Sequence, residues 1–572
     1  MSVTDFGRIM NTTMPNTHFD FDFIVIGSGF GGSVSAHRLT GKGYRVGILE
    51  MGRRWRPEDF PKTNWAIWKW IWRPRLGLRG FFNIQIFRHV LILHGSAVGG
   101  GSITYANTLL VPKNSVWRNG TWAGLADWQS EMPRHYDTAL RMLGVIENRV
   151  SGPADQILKV AAEAAGVGHT YYRTQVAVFE PPEGEPGGKT YPDPYFGGEG
   201  PDRTTCIGCG GCMVGCRYNA KNSLDKNYLY LAEKHGAQVF AETRVVNVLP
   251  LNGKQDGSDG YEIWTESSTS FLRKHRRKFT CRGLVVSASA LGTMDLLLRM
   301  KERGSLPLLS DRLGNIVRTN AESLIGVRLP GTKTDLSKGV AIGSGIYIDD
   351  HTHIETTRYP AGSDAMGFLA TLLVGGRPGH NRILLWIWTL IAAFIRHPIK
   401  TWRCLHPLGF ARESLILLCM QTLGGHIDMR LGRRWYFPFG KVLVSKGKRI
   451  PTFIPQANEF ARKTAESLGG TAMSMTTEIL FDMPGTAHIL GGCTMAESPD
   501  RGVVDHRNRA FGYKNLYVCD GSVLSANLGV NPSLTITAVT ERAMSYIPNS
   551  ADNSWSDSAE PITCKSGEAR PA

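Results

Sequence analysis

Long apolar runs are scarce in this chain of 572 residues. A helix that crosses a bilayer needs about 18 or more uninterrupted apolar residues. The longest run here, Ile383 to Ile395, covers 13 and stops at Arg396. Transmembrane insertion is therefore not expected. Met1 to Asp20 lack both the basic start and the apolar centre of a secretory signal, which predicts a cytoplasmic protein. Cysteine is sparse, at 10 residues, which excludes a secreted disulfide scaffold. Acids are outnumbered, 49 against 65 Lys and Arg, and the resulting net charge of +16 favours anionic partners such as lipid head groups. Nucleic acid fits poorly, because the basic residues are dispersed and none of its recognition motifs is present. No internal repeat is seen. With 42% hydrophobic and 20% charged residues, the chain is neither a fibre nor a disordered segment. It is long enough for two or more packed units.

The first chemistry lies at FDFIVIGSGFGG. Phe21 to Ile26 reads as a buried strand that breaks into Gly27-x-Gly29-x-x-Gly32 and then a helix. Gly27 permits the tight turn, Gly29 lets the backbone approach a pyrophosphate at the helix N-terminus, and Gly32 lets helix and strand pack closely. A second strand, Tyr44 to Leu49, ends at Glu50, 18 residues past Gly32, where a carboxylate would accept hydrogen bonds from a ribose. NAD and FAD share this fingerprint.

HGSAVGGGSITYAN (His94 to Asn107), GTAHILGGCTM (Gly485 to Met495) and Asn515 to Ala543 narrow the choice. Together they resemble the glucose-methanol-choline (GMC) family of flavoprotein oxidoreductases, which implies FAD. By that resemblance Gly99, Gly100, Ser102 and Asn107 contact the flavin, and Asp520 and Gly521 lie near its pyrophosphate and ribityl chain. The resemblance also places His488 and Asn531 beside the flavin. Their chemistry suits alcohol oxidation: an imidazole accepts the hydroxyl proton while the carbon gives a hydride to flavin N5, and an amide fixes the oxygen. Asn531-Pro532 should open a helix. Ser289 stands where the family carries glycine.

DPYFGGEG (Asp193 to Gly200), Ala220 to Val239 and His353 to Gly367 resemble the cholesterol oxidase branch of that family, in its non-secreted form. The implied substrate is a 3β-hydroxysteroid, oxidised to the 3-keto steroid with O2 or an electron-transfer partner as acceptor. Sterol oxidases of this branch also shift a double bond, which needs a carboxylate to carry a proton. Glu355 is the candidate and Asp364 the reserve.

Cys206, Cys209, Cys212 and Cys216 read C-x2-C-x2-C-x3-C, the spacing of a ferredoxin run. Against a cluster, Arg217 follows where ferredoxins have proline, and no second Cys-x-x-Cys run exists. Iron–sulfur cluster, plain thiols or a disulfide, and zinc all stay open. A cluster would support an alternative function, a membrane-associated dehydrogenase of long-chain or terpenoid alcohols that passes electrons through it.

Two segments suit contact with an anionic membrane. One interleaves Trp65, Trp68, Trp70 and Trp72 with Lys69, Arg73, Arg75 and Arg79. The other is Ile383 to Ile395, which also fits a cover over a sterol pocket or a core helix. The expected architecture is α/β. A doubly wound, Rossmann-like FAD-binding domain comes from residues 20–115, 200–325 and 475–546. An α+β substrate domain, 116–199 and 326–474, lays a sheet over the flavin, and 547–572 form a disordered tail.

Overall fold

The computed structural model describes residues 19–271, 273–377, 380–434 and 437–550. The opening residues read for a secretory signal, up to residue 18, lie outside them, as does the expected tail from 551 on. Residues 547–550 are packed: Ile547 is buried and Ser550 N donates to Lys42 O at 2.8 Å.

Two large sheets organise the chain. Their strands, in chain order, are β1 (Phe21–Ile26), β2 (Val46–Leu49), β3 (Tyr172–Arg173), β4 (Gln238–Phe240), β5 (Thr243–Pro250), β6 (Tyr261–Ser267) and β7 (Arg277–Val286). They continue with β8 (Ser323–Arg328), β9 (Ile342–Tyr347), β10 (Thr352–Thr357), β11 (Ala370–Leu372), β12 (Ser414–Gln421), β13 (Thr471–Met475) and β14 (Leu516–Val518). The helices that matter below are α1 (Phe30–Gly41), α2 (Pro153–Ala164), α3 (Ser289–Glu302), α4 (Ile383–Arg396), α5 (Pro398–Leu405), α6 (Pro455–Ser467) and α7 (Ser533–Ser545).

The first sheet runs β4-β2-β1-β7-β6-β5, with β14 also paired to β7. Its β4, β2, β1, β7 and β14 are mutually parallel where they pair, and this is the doubly wound core. Strand β1 sits at its centre with Ile24 and Val25 fully buried, because a parallel strand covered on both faces needs a continuous apolar run. At the C-terminal end of β1 the chain turns through Gly27, at φ +97°, into α1. That end is where doubly wound sheets bind ligands.

The second sheet, β11-β13-β8-β12-β10-β9-β3, is antiparallel at every pairing. Alternation sets its two faces. On one face Ile325, Val327, Leu415 and Leu417 pack against Leu158 of α2 and Phe460 of α6. The opposite face, with Leu324, Ile416 and Leu418, lines a cavity shared with the first sheet.

Candidate active site

The cavity has a volume of about 2360 Å³ and runs from the Gly27–Gly29 turn to the second sheet. Both ends of the expected chemistry open into it.

At the nucleotide end the glycines divide the work. A Cβ on Gly27 would lie 2.2 Å from Ser287 O, and one on Gly32 would lie 2.0 Å from Gly27 O, so both hold backbone against backbone. Gly31, which the motif leaves unspecified, is tighter still, 1.6 Å from Cys519 O. A Cβ on Gly29 would meet no atom within 4 Å: its face is open to the cavity. Gly29 is also the N-cap of α1 and offers no capping side chain, so the N–H groups of the first turn are available to an anion. Glu50 lines the same end and accepts from Ser28 N at 3.0 Å, Ser28 Oγ at 2.7 Å and Gly52 N at 2.7 Å. Burial raises its pKa, opposed by those hydrogen bonds.

The second glycine loop leans directly on the first. Gly100, at φ +53°, approaches so closely that a Cβ would lie 2.5 Å from Gly29 Cα, and it lines the cavity. Gly99, Ser102 and Asn107 do not line it and serve the loop from behind. Gly99 N donates to Ser28 Oγ at 3.0 Å. Ser102 Oγ donates to Gly99 O at 2.6 Å and accepts from Leu224 N at 3.0 Å. Asn107, itself at φ +64°, donates to Cys212 Sγ at 2.9 Å. Asp520 and Gly521 line the cavity beyond β14. Asp520 accepts from Ser522 N at 2.8 Å and Thr293 Oγ1 at 2.5 Å. Ser289 also lines it, at φ +67°, a region that glycine adopts with least strain. An uncapped helix N-terminus, an open glycine and a fixed carboxylate fit the pyrophosphate and ribose of FAD.

At the catalytic end His488 and Asn531 both line the cavity. His488 Nδ1 is engaged by the carboxylate of Glu322, whose other oxygen accepts from Ala487 N at 3.1 Å. That leaves Nε2 for the cavity. Burial lowers the pKa of His488, but the charge and hydrogen bond of Glu322 and the charge of Glu355 outweigh it, and the pKa ends above its ordinary value. Asn531, next to Pro532 at the cap of α7, donates from Nδ2 to Glu355 Oε2 at 3.1 Å. Asn531 Oδ1 and Glu355 Oε1 are buried without a partner, so two acceptor atoms remain at the site. Glu355, on β10, stands behind Asn531 rather than on the cavity wall, and burial pushes its pKa up to about 7.

Sequence reasoning missed Glu322. No motif surrounds it, but its local backbone is unusual: Asn320 and Ala321 both have positive φ, at +57° and +45°. Asn320 explains the cost. It donates to Val530 O at 3.0 Å and accepts from Gly529 N at 2.9 Å, tying the Glu322 turn to the loop that carries Asn531. Two strained residues at a functional corner indicate a conformation imposed by its surroundings.

Two expectations are corrected. Asp364 accepts from Gly409 N at 3.0 Å and Ala411 N at 2.8 Å, so it clamps a turn and does not line the cavity. The cysteine run does not form a metal site: among the described residues no three or more His, Cys, Asp or Glu side chains converge to hold an ion. Positive φ at Gly208, Gly210 and Gly215 turns the run so that sulfurs meet backbone N–H groups instead. Cys206 Sγ accepts from Gly208 N at 3.4 Å, and Cys216 Sγ from Ala220 N at 3.3 Å. All four are free thiols. An iron–sulfur cluster does not fit them.

Two family models, both described as GMC oxidoreductase, match residues 201–300 and 442–540. A cholesterol oxidase from Acinetobacter baumannii is 62% identical over 535 residues, 94% of this chain and 96% of that protein. A cholesterol oxidase from Mycobacterium tuberculosis (strain ATCC 25618 / H37Rv) is 46% identical over 543 residues, 93% of this chain and 92% of that protein. Among solved structures, pyridoxine 4-oxidase from Mesorbium loti superposes with a TM-score of 0.57 at 14% identity, covering 92% of this chain and 99% of that one. At that identity the likeness concerns the fold.

Proposed function

This chain belongs to the GMC oxidoreductase family, and from that premise we propose that it oxidises the 3β-hydroxyl of a steroid such as cholesterol to the ketone. It is an FAD-dependent alcohol oxidoreductase. One observation carries the substrate reading beyond the relatives. The His488–Glu322 and Asn531–Glu355 pairs meet at one end of a cavity whose continuation is walled by Leu324, Ile416, Leu418, Met473 and Phe410. A polar corner before an apolar chamber suits a single hydroxyl on a bulky apolar body.

Gly29, Glu50, Gly100, Asp520 and Gly521 would hold FAD, which would supply the two-electron acceptor for the hydride on the alcohol carbon. His488 Nε2 takes the hydroxyl proton as the C–O bond gains double-bond character, and Glu322 stabilises the imidazolium that results. Asn531 orients the alcohol oxygen. The balance is one hydride and one proton removed per ketone formed. O2 is the terminal acceptor in this proposal, in keeping with relatives that are oxidases, and hydrogen peroxide is the second product. The rival long-chain-alcohol dehydrogenase loses its electron path, because the cysteine run does not fit a cluster. We further propose Glu355 as the carboxyl that moves a ring proton after oxidation, with Asn531 turning aside to admit it. The two-domain division belongs to the same proposal, with residues 116–199 and 326–474 as the substrate unit, and so does peripheral contact with an anionic membrane.

The test is anaerobic. A 3β-hydroxysteroid should bleach the flavin absorbance of the purified protein, while a flexible long-chain alcohol should do so far more slowly. Bleaching by the long-chain alcohol alone would overturn the steroid assignment. With Glu355→Gln, bleaching should persist while the conjugated enone fails to accumulate.

A further inference from the structure

Helix α4 presents an unusual surface. None of its 14 residues is buried. Its most exposed side chains fall on one stripe, Leu384 at 75%, Trp388 at 69% and Ile395 at 77%, with Ile391 between the last two. The stripe continues into α5 through Ile399 at 76% and Trp402 at 62%. The opposite side of the pair is anchored. Leu390 and Ala393 pack against Leu372, Cys404 and Met473, and Trp386 Nε1 donates to Thr371 Oγ1 at 2.8 Å. The stripe is therefore held outward by a docked helix pair.

A second exposed apolar group adjoins it. Trp65 meets Phe368 edge to face at 5.9 Å, beside exposed Ile67 and Trp68. Gly367 abuts Pro407 and Phe410, which links that turn to the end of α5. The residues beneath this surface form the active-site wall: Met473, against which Leu390 and Ala393 pack, lines the cavity together with Leu369, Ala370 and Phe410.

Charge selects the occupant. Residues 365–412 contain Arg377, Arg382, Arg396, Lys400, Arg403 and Arg412 and no Asp or Glu. Residues 60–88 contain Lys62, Lys69, Arg73, Arg75, Arg79 and Arg88, again with no acid. Arg403 and Arg412 face Glu413 and Asp335, and Arg382 is buried, yet the balance around the stripe stays cationic. At 1.5 Å per residue α4 is about 21 Å long, short of the roughly 30 Å of a hydrocarbon core. No helix among the described residues is long and apolar enough to cross a membrane. Trp and aliphatic side chains rimmed by cations, on a helix too short to span, suit a position in the plane of the head groups.

We infer that α4, α5 and the Trp65–Trp68 turn form the face by which this protein lies on an anionic lipid bilayer, directly outside the apolar wall of the active-site cavity. Docking would place Met473, Leu369 and Phe410 between bilayer and flavin site, so that an apolar alcohol leaves the membrane without crossing water. This second half rests on the steroid reading; the docking face does not.

The test uses the full FAD-loaded chain and sedimentation with phosphatidylcholine vesicles, with and without phosphatidylserine. The wild type should bind the phosphatidylserine vesicles, and more weakly at high salt. The double variant Trp388→Glu, Ile395→Glu should bind at least about tenfold more weakly. Val160→Glu, on the exposed side of α2, should bind as the wild type does. Arg396→Glu leaves the apolar stripe intact and should lose part of the phosphatidylserine preference, which keeps the test decisive if the double variant sheds its flavin. Wild type that ignores anionic vesicles, or a double variant that binds equally, overturns the docking face. So does a wild-type dimer, seen by light scattering, that the double variant dissolves: a second copy then covers the stripe. Turnover of cholesterol in vesicles should fall in the double variant while turnover of cyclodextrin-delivered cholesterol persists. If the wild type oxidises neither, the steroid reading fails while the sedimentation result still decides the docking face.

Discussion

His488 works through its partners. In the proposed reaction the imidazole must be neutral to accept a hydroxyl proton; burial lowers its pKa, while Glu322 and Glu355 together raise it above the ordinary histidine value. The steady-state rate should therefore climb as pH rises through that pKa, because the base form exists only above it. Glu322→Gln removes the larger of the two favourable charges. The acid limb of the pH–rate profile should then move to lower pH while kcat falls roughly tenfold or more. A merely structural Glu322 would lower activity without moving the limb. Asn320 and Ala321 show why Glu322 is held so firmly: two left-handed residues are retained where Asn320 bridges to Gly529 and Val530. His488 and Asn531 were legible in the sequence because each lies inside a recognisable block. Glu322, 166 residues from His488, has no local pattern, since only the folded chain brings the two together.

At the level of elements, the cysteine run illustrates what spacing conveys and what it conceals. C-x2-C-x2-C-x3-C says that four sulfurs are near one another along the chain, and nothing about which way they face. The fold uses the run as a brace for the glycine loop: Asn107 donates to Cys212 Sγ, and the buried Lys221 ammonium donates to Ile103 O at 2.8 Å and Cys212 O at 2.7 Å. Burial lowers the pKa of Lys221 to about 8. Lys221→Met would strand those carbonyls at about 1–3 kcal/mol each. The expected result is a larger apoprotein fraction after gel filtration, with no iron in either protein by elemental analysis. Iron in the wild type at one cluster per chain would refute the brace.

For the whole molecule, FAD would bridge elements that are far apart in sequence: the β1 turn, the Gly100 loop, and the Asp520–Asn531 stretch all line one cavity. A ligand that binds only the folded arrangement stabilises it by mass action, about 2.7 kcal/mol at a hundredfold excess over Kd. Stripping FAD should therefore lower Tm, and adding it back should raise Tm with the logarithm of its concentration, measured by differential scanning fluorimetry. A Tm indifferent to FAD would mean that the cavity is not its site.

What the sequence by itself determined was local. Gly27, Gly29, Gly32 and Glu50 are legible because a tight turn, an open helix N-terminus and a strand-end acid are requirements on neighbouring residues, and β1 forms over the expected Phe21–Ile26. Only the tertiary structure decided which groups face the cavity. It put Ser102 and Asn107 behind the loop, made Asp364 a turn clamp, set Glu322 against His488, and left the run from Ile383 on the outside. The reason is physical: an apolar run or a lone carboxylate has the same intrinsic preferences at a surface, in a core or in a site, and its fate depends on the partners that distant segments bring to it.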